Sequence, residues 1–352
     1  MCIAAKRSSR TCRGFSVDLT RELKDRVAAA RADGTPLDIR GGGTKKALGN
    51  PVGANAAQLD IGGHSGILSY EPAELVLRAR AGTQLVEIES ALADAGQMFG
   101  FEPPHLGPGA TLGGCVSVGL SGPRRAFAGS VRDFVLGVTL LTSRGEVLKF
   151  GGEVMKNVAG YDVSRLATGA YGTLGVLMDV SLKVLPAPRA EITLTRLADV
   201  HSAHSSMIAL AREPWPVTGS AWCDGRFYVR LAAEQADVDR VMRGLAAEPC
   251  DNSVWRLLRE REHPTLDVPD LWRASVAPSS TEGLDAALAV DWNGGIRYYA
   301  RPVTSANLMR LKGNSGDPFS HPGNLQMRLH ERLKSTFDPF RILNPGRMYA
   351  GI

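Results

Sequence analysis

Between Glu102 and Asp133 the chain carries seven glycines and four prolines, with no acidic or basic residue other than His105 from Pro103 to Pro123. That density of Gly and Pro excludes a long helix or a central strand. A loop of this length inside a compact domain is either functional or disordered. Its small, apolar content argues against disorder. The stretch therefore reads as backbone that must come close to something, and the rest of the chain is arranged around it.

On the N-terminal side, Leu19, Leu23 and Val27 recur at helical spacing, with Asp18 or Thr20 as cap and Gly34 and Pro36 as stop. A short strand is expected at Leu37–Arg40. A second strand is expected at Glu74–Ala81, followed by a helix capped by Thr83 that carries Leu85, Ile88 and Leu92 on one face and stops at Gly96. On the C-terminal side, Val135–Thr142 and Glu146–Phe150 flank Ser143-Arg144-Gly145 as a hairpin. Val176–Leu185 alternates as a strand, and Pro186 and Pro188 mark a boundary. Beyond it, helical stretches around 197–212 and 233–247 alternate with aromatic-bearing segments at 220–231 and 291–300, an α+β arrangement. A last helix is expected at Asn324–Thr336.

The 352 residues suggest about two domains. The net charge of +5 owes much to Lys6, Arg7, Arg10 and Arg13 in a tail expected to be disordered, and no dense basic run follows. Nucleic acid is therefore not an expected partner, whereas an anionic cofactor suits the balance. The five cysteines form no CxxC pair and fit neither a disulfide framework nor a metal or cluster site. Free thiols suit a reducing compartment. No apolar run reaches the roughly 18 residues of a membrane span. The expectation is a cytoplasmic protein that touches the inner face of a membrane only through partners.

Five motifs can carry chemistry. Arg40-Gly41-Gly42-Gly43-Thr44-Lys45 can converge backbone N–H groups on phosphate oxygens. The following KKALGNPVG has no helical periodicity, which disfavours a Rossmann fingerprint. The second motif, Gly109-Ala110-Thr111-Leu112-Gly113-Gly114 with Ser117, Ser121 and Gly122, lets backbone close on a flat ligand. The others are Gly129-Ser130-Val131-Arg132-Asp133, then Lys156–Asp162 with Tyr161, and Gly172-Thr173-Leu174-Gly175-Val176. Each of these three, taken alone, is more often structural.

As an ordered set, RGGGTK, YEPAELVLRARAGT, EPPHLGPGATLGGCVSVGLSGPRRAFAGSVRDFVLGV and GGEVMKNVAGYDVSRLATGAYGTLGVL resemble the FAD-binding domain of the vanillyl-alcohol oxidase / PCMH flavoprotein superfamily. The ending FDPFRILNPGRMYAGI resembles its D-lactate and glycolate oxidase branch, and within it the family of glycolate oxidase FAD-binding subunits. The resemblance implies an α+β fold: a PCMH-type two-subdomain FAD-binding domain over 16–190 after the tail 1–15, a smaller α+β cap over 191–323, and a segment 324–352 returning to the FAD domain. It implies that Arg40–Lys45 hold the FAD pyrophosphate and that Gly109–Gly114, Ser117, Ser121 and Gly122 line the phosphate and ribityl region. Arg132 and Asp133 would buttress that loop, and Tyr161, Gly175 and Val176 would sit beside the adenosine or ribityl part.

Some members of the superfamily attach FAD covalently through a His near the first glycine loop. Here Lys45 and Lys46 follow that loop, so non-covalent FAD is expected. His64 is expected at the surface, and His105 either near the ligand or in a packed or solvated role. The histidine-rich catalytic segment of substrate-oxidising relatives has only a thin echo in His321-Pro322-Gly323-Asn324, so no catalytic residue is assigned. The implied activity is that of a flavin-carrying subunit of a complex oxidising glycolate to glyoxylate, beside a sister FAD subunit and an iron–sulfur subunit. The alternatives are a self-sufficient 2-hydroxy-acid dehydrogenase and a structural subunit that has lost FAD. Trp215, Trp222, Trp255, Trp272 and Trp292 are read mainly as core.

Overall fold

The computed structural model describes residues 16–152, 161–305 and 307–352. The expected tail 1–15 and the Lys156–Gly160 part of the fourth motif lie outside the described residues.

Helix α1 (Thr20–Asp33) buries Leu23, Val27 and Ala30 and ends where Gly34 turns left-handed at φ 67°. Asp18 accepts the Thr20 N–H at 2.9 Å, so it satisfies one of the amides exposed at the helix start. Strand β1 (Leu37–Arg40) then pairs in parallel with β2 (Ala57–Asp60). Next come β3 (Ile67–Glu71), β4 (Val76–Arg80) and α2 (Leu85–Asp94), whose buried Leu85, Ile88 and Leu92 fall on one face as expected. Thr83 does not cap α2. Its Oγ1 accepts the Gly66 N–H at 2.9 Å, and Gln84 holds the cap position.

The segment read as one long loop contains three short helices: α3 (Leu112–Val118), α4 (Arg125–Ala128) and α5 (Val131–Phe134). The glycines masked them. Thr111 caps α3 by accepting the Gly114 N–H, and Gly119 stops it at φ 71°. Strands β5 (Val135–Leu141) and β6 (Val147–Gly151) form the expected hairpin, followed by α6 (Val163–Ala167) and β7 (Val176–Lys183). These strands make a five-stranded antiparallel sheet in the order β3-β4-β7-β5-β6. Its core draws Val27, Leu77, Leu112, Leu140 and Val180 together with Ile342 and Leu343 from the far end of the chain.

The second half is an eight-stranded antiparallel sheet. In chain order its strands are β8 (Ala190–Leu197), β9 (Val217–Cys223), β10 (Arg226–Ala233), β11 (Glu248–Cys250), β12 (Leu271–Ser275), β13 (Ala289–Asp291), β14 (Ile296–Tyr299) and β15 (Leu308–Lys312). Their spatial order is β11-β8-β10-β9-β13-β14-β12-β15. Helices α7 (Val200–Leu210), α8 (Gln235–Met242) and α9 (Ser253–Glu260) accompany the sheet, and α10 (Asn324–Phe337) leads back to the first half. Trp255 and Trp272 are buried, while Trp215, Trp222 and Trp292 are partly exposed.

Two devices join the halves. One is an apolar cluster in which Leu48, Leu120 and Tyr171 meet Trp255, Leu271 and Tyr298. The other is ionic. Glu102 accepts from the Arg124 N–H at 2.8 Å and lies 2.8 Å from Arg230 on β10, while Arg124 also pairs with Glu191 on β8. Desolvation pushes the Glu102 carboxyl up, but Arg230 and Arg124 hold it below the usual carboxylate range. Removing one partner of such a buried set strands the others, so the network fixes how the halves meet.

Candidate cofactor site

The turn after β1 is built without side chains because another backbone lies against it. A Cβ on Gly42 would overlap the carbonyl of Gly109, and one on Gly41 would overlap the Thr111 hydroxyl. Gly43 is left-handed at φ 71°. Among the described residues, the backbone N–H groups of Gly41, Gly42, Gly43, Thr44 and Lys45 donate to no protein acceptor. Consecutive amides left free in a tight turn form an anion nest.

The second glycine segment works differently. The Gly113 N–H is already given to Ala81 O at 2.7 Å, the Leu112 N–H to Thr83 O at 2.9 Å, and the Gly114 N–H to Thr111 Oγ1 at 3.3 Å. A Cβ on Gly113 would lie 2.7 Å from that of Ala81. The segment thus supplies close approach rather than donors. It presses α3 onto the end of β4 so that Thr111, Gly114 and Ser117 face the turn. The cleft between the two segments has a volume of about 260 Å³.

Charge in the cleft is arranged around the turn. Arg40 is held by Asp38 on the same strand, which raises its pKa above the usual value. Lys45 is buried, its Nζ donating to His105 O at 3.0 Å and Thr44 Oγ1 at 3.3 Å. Burial lowers the pKa of its ammonium below the ordinary value, although Cys115 and Glu260 oppose this. Arg347 reaches in from the far end of the chain, donating to Asn50 O at 2.7 Å and Lys46 O at 2.9 Å. Asn344 accepts the Ile39 N–H at 2.7 Å and donates to Tyr171 O at 2.7 Å. The floor of the site is therefore stitched by residues some three hundred positions from the turn.

The cleft gathers Arg40, Gly41, Gly42, Gly43, Thr44 and Lys45 with Thr111, Gly113, Gly114 and Ser117, as the motifs implied. Gly109, Ala110 and Leu112 stand directly behind, Ala110 and Leu112 buried in the core. Ser121 and Gly122 lie past the end of α3 and line a separate recess. Arg132 and Asp133 are exposed. Asp133 caps α5, accepting from Ser130 N–H at 2.9 Å and Oγ–H at 2.7 Å, and this presents the Val131 N–H to Ser121 Oγ at 3.0 Å. Three further residues do not reach the cleft either. Tyr161 is 93% exposed, and Gly175 and Val176 are buried at the start of β7, Val176 in the sheet core. The tyrosine that lines it is Tyr171, whose phenol is pushed well up by burial.

His64 is not at the surface. It is 1% exposed, its Nδ1 accepts the Leu19 N–H at 3.1 Å, and its Nε2 faces Asp179 at 3.7 Å. His105 is half-buried beside the cleft wall, its ring 3.1 Å from Glu89, its backbone N–H given to Glu260 and its carbonyl accepting from Lys45 Nζ. Asp38, Tyr171, Asn344 and Arg347 were missed as cleft residues. The NPGR ending was the one available signal for the last two.

Residues 16–151 match the FAD binding domain family. Over 349 residues the chain is 42% identical to the glycolate oxidase subunit GlcE of Escherichia coli (strain K12), covering 95% of this chain and 98% of that one. The chain belongs to the GlcE family.

This GlcE-family chain is also 28% identical over 162 residues to the glycolate oxidase subunit GlcD of Bacillus subtilis (strain 168), covering 46% of this chain and 34% of that one. A solved structure of alkyldihydroxyacetonephosphate synthase superposes with a TM-score of 0.65 at 17% identity, covering 92% of this chain and 75% of that one. That likeness speaks to the fold alone. The fold is the PCMH-type FAD-binding fold, and the chain is an FAD-binding member of an oxidoreductase family. The residues present fit that cofactor: free amides at the first turn suit a diphosphate, and a side-chain-free seam suits its close approach.

Proposed function

We propose that this chain is the FAD-binding subunit of a complex that oxidises glycolate to glyoxylate. The identity to GlcE, spread over nearly all of both chains, carries the reading. In this reading the Gly41–Lys45 amides receive the diphosphate, Arg40 and Arg347 supply positive charge beside it, and Thr111 and Ser117 offer hydroxyls to the neighbouring part of the cofactor. FAD, when bound, supplies the redox chemistry, while the protein orients it and excludes water. Among the described residues no histidine lines the cleft, which favours a cofactor held without a covalent bond.

A sister FAD subunit and an iron–sulfur subunit complete the proposed complex. The partial likeness to GlcD supports the first. The absence of any CxxC pair among the five cysteines supports an electron carrier on another chain. No helix among the described residues is long and apolar enough to cross a membrane, consistent with a cytoplasmic subunit that meets the membrane through partners.

Purified full-length chain should show a flavin absorption spectrum and release FAD into the supernatant on acid precipitation. Glycolate should bleach that spectrum only when the partner subunits are present. A colourless chain would refute the FAD assignment, and full glycolate oxidation by the chain alone would refute the division of labour.

A further inference from the structure

Glu260 is the last residue of α9, where the helix dipole disfavours a negative charge, yet its side chain is only 9% exposed. What it meets in the first half explains the carboxylate. Its oxygens accept the Leu106 N–H at 2.7 Å and the His105 N–H at 3.0 Å. Leu106 is left-handed at φ 57°, and consecutive amides turned inward at such a residue form an anion nest. The molecule therefore holds two nests. Among the described residues, the amides of Gly41–Lys45 have no protein acceptor, whereas those of His105 and Leu106 are filled by a carboxylate from the second half.

The two nests are built against each other. The carbonyl of Gly109, three residues after Leu106, occupies the place of a Cβ on Gly42, and a Cβ on Gly107 would meet the Thr44 methyl at 3.6 Å. His105 gives its N–H to Glu260 and accepts Lys45 Nζ on its carbonyl at 3.0 Å. Burial lowers the Lys45 pKa, Cys115 and Glu260 oppose this, and Arg261 adds to it. Cys115 is itself a neutral thiol, pushed up to about 12 by burial, which leaves Glu260 as the standing negative charge. At the upstream end of the same loop Glu102, left-handed at φ 47°, is held 2.8 Å from Arg230. Left-handed backbone at residues with side chains persists where the surroundings over-determine it. Here the second half supplies those surroundings at both places.

We propose that Glu260 is a positioning residue for FAD: its carboxylate, reaching from the second half, fixes the His105–Gly109 loop against which the Gly41–Lys45 turn is shaped. Cofactor affinity and the seating of the second half are then thermodynamically linked. Seating Glu260 tightens the FAD site, and bound FAD tightens the hold on Glu260 by the same factor. The inference rests on the diphosphate seat of the proposed function, and not on the identity of the substrate.

The test is titration of the flavin-stripped, full-length chain with FAD, followed by flavin fluorescence. Glu260→Ala should lose about ten- to a hundred-fold in FAD affinity. Trp292→Phe, which loosens the junction elsewhere, should bind FAD as the parent does. Formate can refill the vacated nest and should restore the affinity of Glu260→Ala, whereas formamide, of similar shape without the charge, should not. On unaltered protein, FAD should slow amide hydrogen exchange at Leu106 and at the end of α9, neither of which lines the cleft, while α7 exchanges as before. That arm holds even if Glu260→Ala fails to fold. Unchanged affinity in Glu260→Ala, an equal loss in Trp292→Phe, no restoration by formate, or equal restoration by formamide would each overturn the coupling. So would exchange at Leu106 and α9 that FAD leaves unchanged or slows no more than in α7. Gly42→Ala separates the two readings: full FAD affinity there would overturn the seat itself, whereas an impaired Gly42→Ala beside an intact Glu260→Ala would overturn the coupling alone.

Discussion

Trp292 Nε1 donates to the carbonyl oxygen of Gly122 at 2.9 Å, tying the turn after β13 of the second half to the glycine-rich segment of the first. The indole is stacked by Arg125 at 4.3 Å as well as by Arg273. Trp292→Phe keeps most of the ring and removes the donor. Urea denaturation should show a loss of about 1–2 kcal/mol, with flavin content unchanged. A variant as stable as the parent would show that the bond contributes nothing to the union of the halves.

Gly42 has no room for a methyl group against the Gly109 carbonyl. Gly42→Ala must therefore push the two glycine segments apart and spoil the nest. The purified variant should be folded by circular dichroism and carry little FAD, measured as flavin released on denaturation. Full occupancy in that variant would detach the turn from cofactor binding. Gly34→Ala is the control: a Cβ there meets nothing, so only the left-handed backbone strain of about 1 kcal/mol is felt.

Lys334 and Asp338 are both fully buried, 2.8 Å apart on the last turn of α10. The ammonium also donates to Thr173 O and Leu343 O, and the carboxylate accepts the Ile342 and Leu343 N–H groups. Lys334→Met leaves that carboxylate buried without its cation and should cost about 3–5 kcal/mol by denaturant titration. The exposed Lys24→Met should change stability by less than about 0.5 kcal/mol.

Burial pushes the Asp291 carboxyl up to about 7, with Glu102 adding to the shift and the Trp292 N–H, Arg230 and Arg273 opposing it. The unfolded value is 3.8. Between the two values the folded state holds a proton that the unfolded state has lost. The stability contributed by this group is therefore complete below the unfolded value, falls as pH rises through the window, and is gone above about 7. Asp291→Asn keeps the acceptor for Trp292 and cannot titrate. Melting temperatures taken from pH 4 to 8 should show the variant gaining on the parent as pH rises, and parallel curves would refute the shift.

How much of this was legible in the sequence depended on how local the physics was. Three glycines and a threonine after a four-residue strand announce a bare turn, and Gly34 announces a helix end, because both depend on neighbouring residues alone. The helix at Leu112–Val118 was hidden because its glycines have low helix propensity, and tertiary contacts with Ala81 and Thr83 compensate for that. Tyr161 was named in place of Tyr171, and only the fold tells which one turns toward the cleft. Asn344 meeting Ile39 is an encounter of distant segments that no spacing records. His64 looked like a surface residue because the need of Leu19 for an acceptor cannot be seen from His64's own neighbourhood.

Because Asn344 and Arg347 clasp β1 and the turn beyond it, the pocket for the yellow cofactor is finished only when residue 347 has left the ribosome. Synthesis and colour are thus ordered in time. Any message broken upstream of that codon should yield a pale protein, however well its earlier strands have folded.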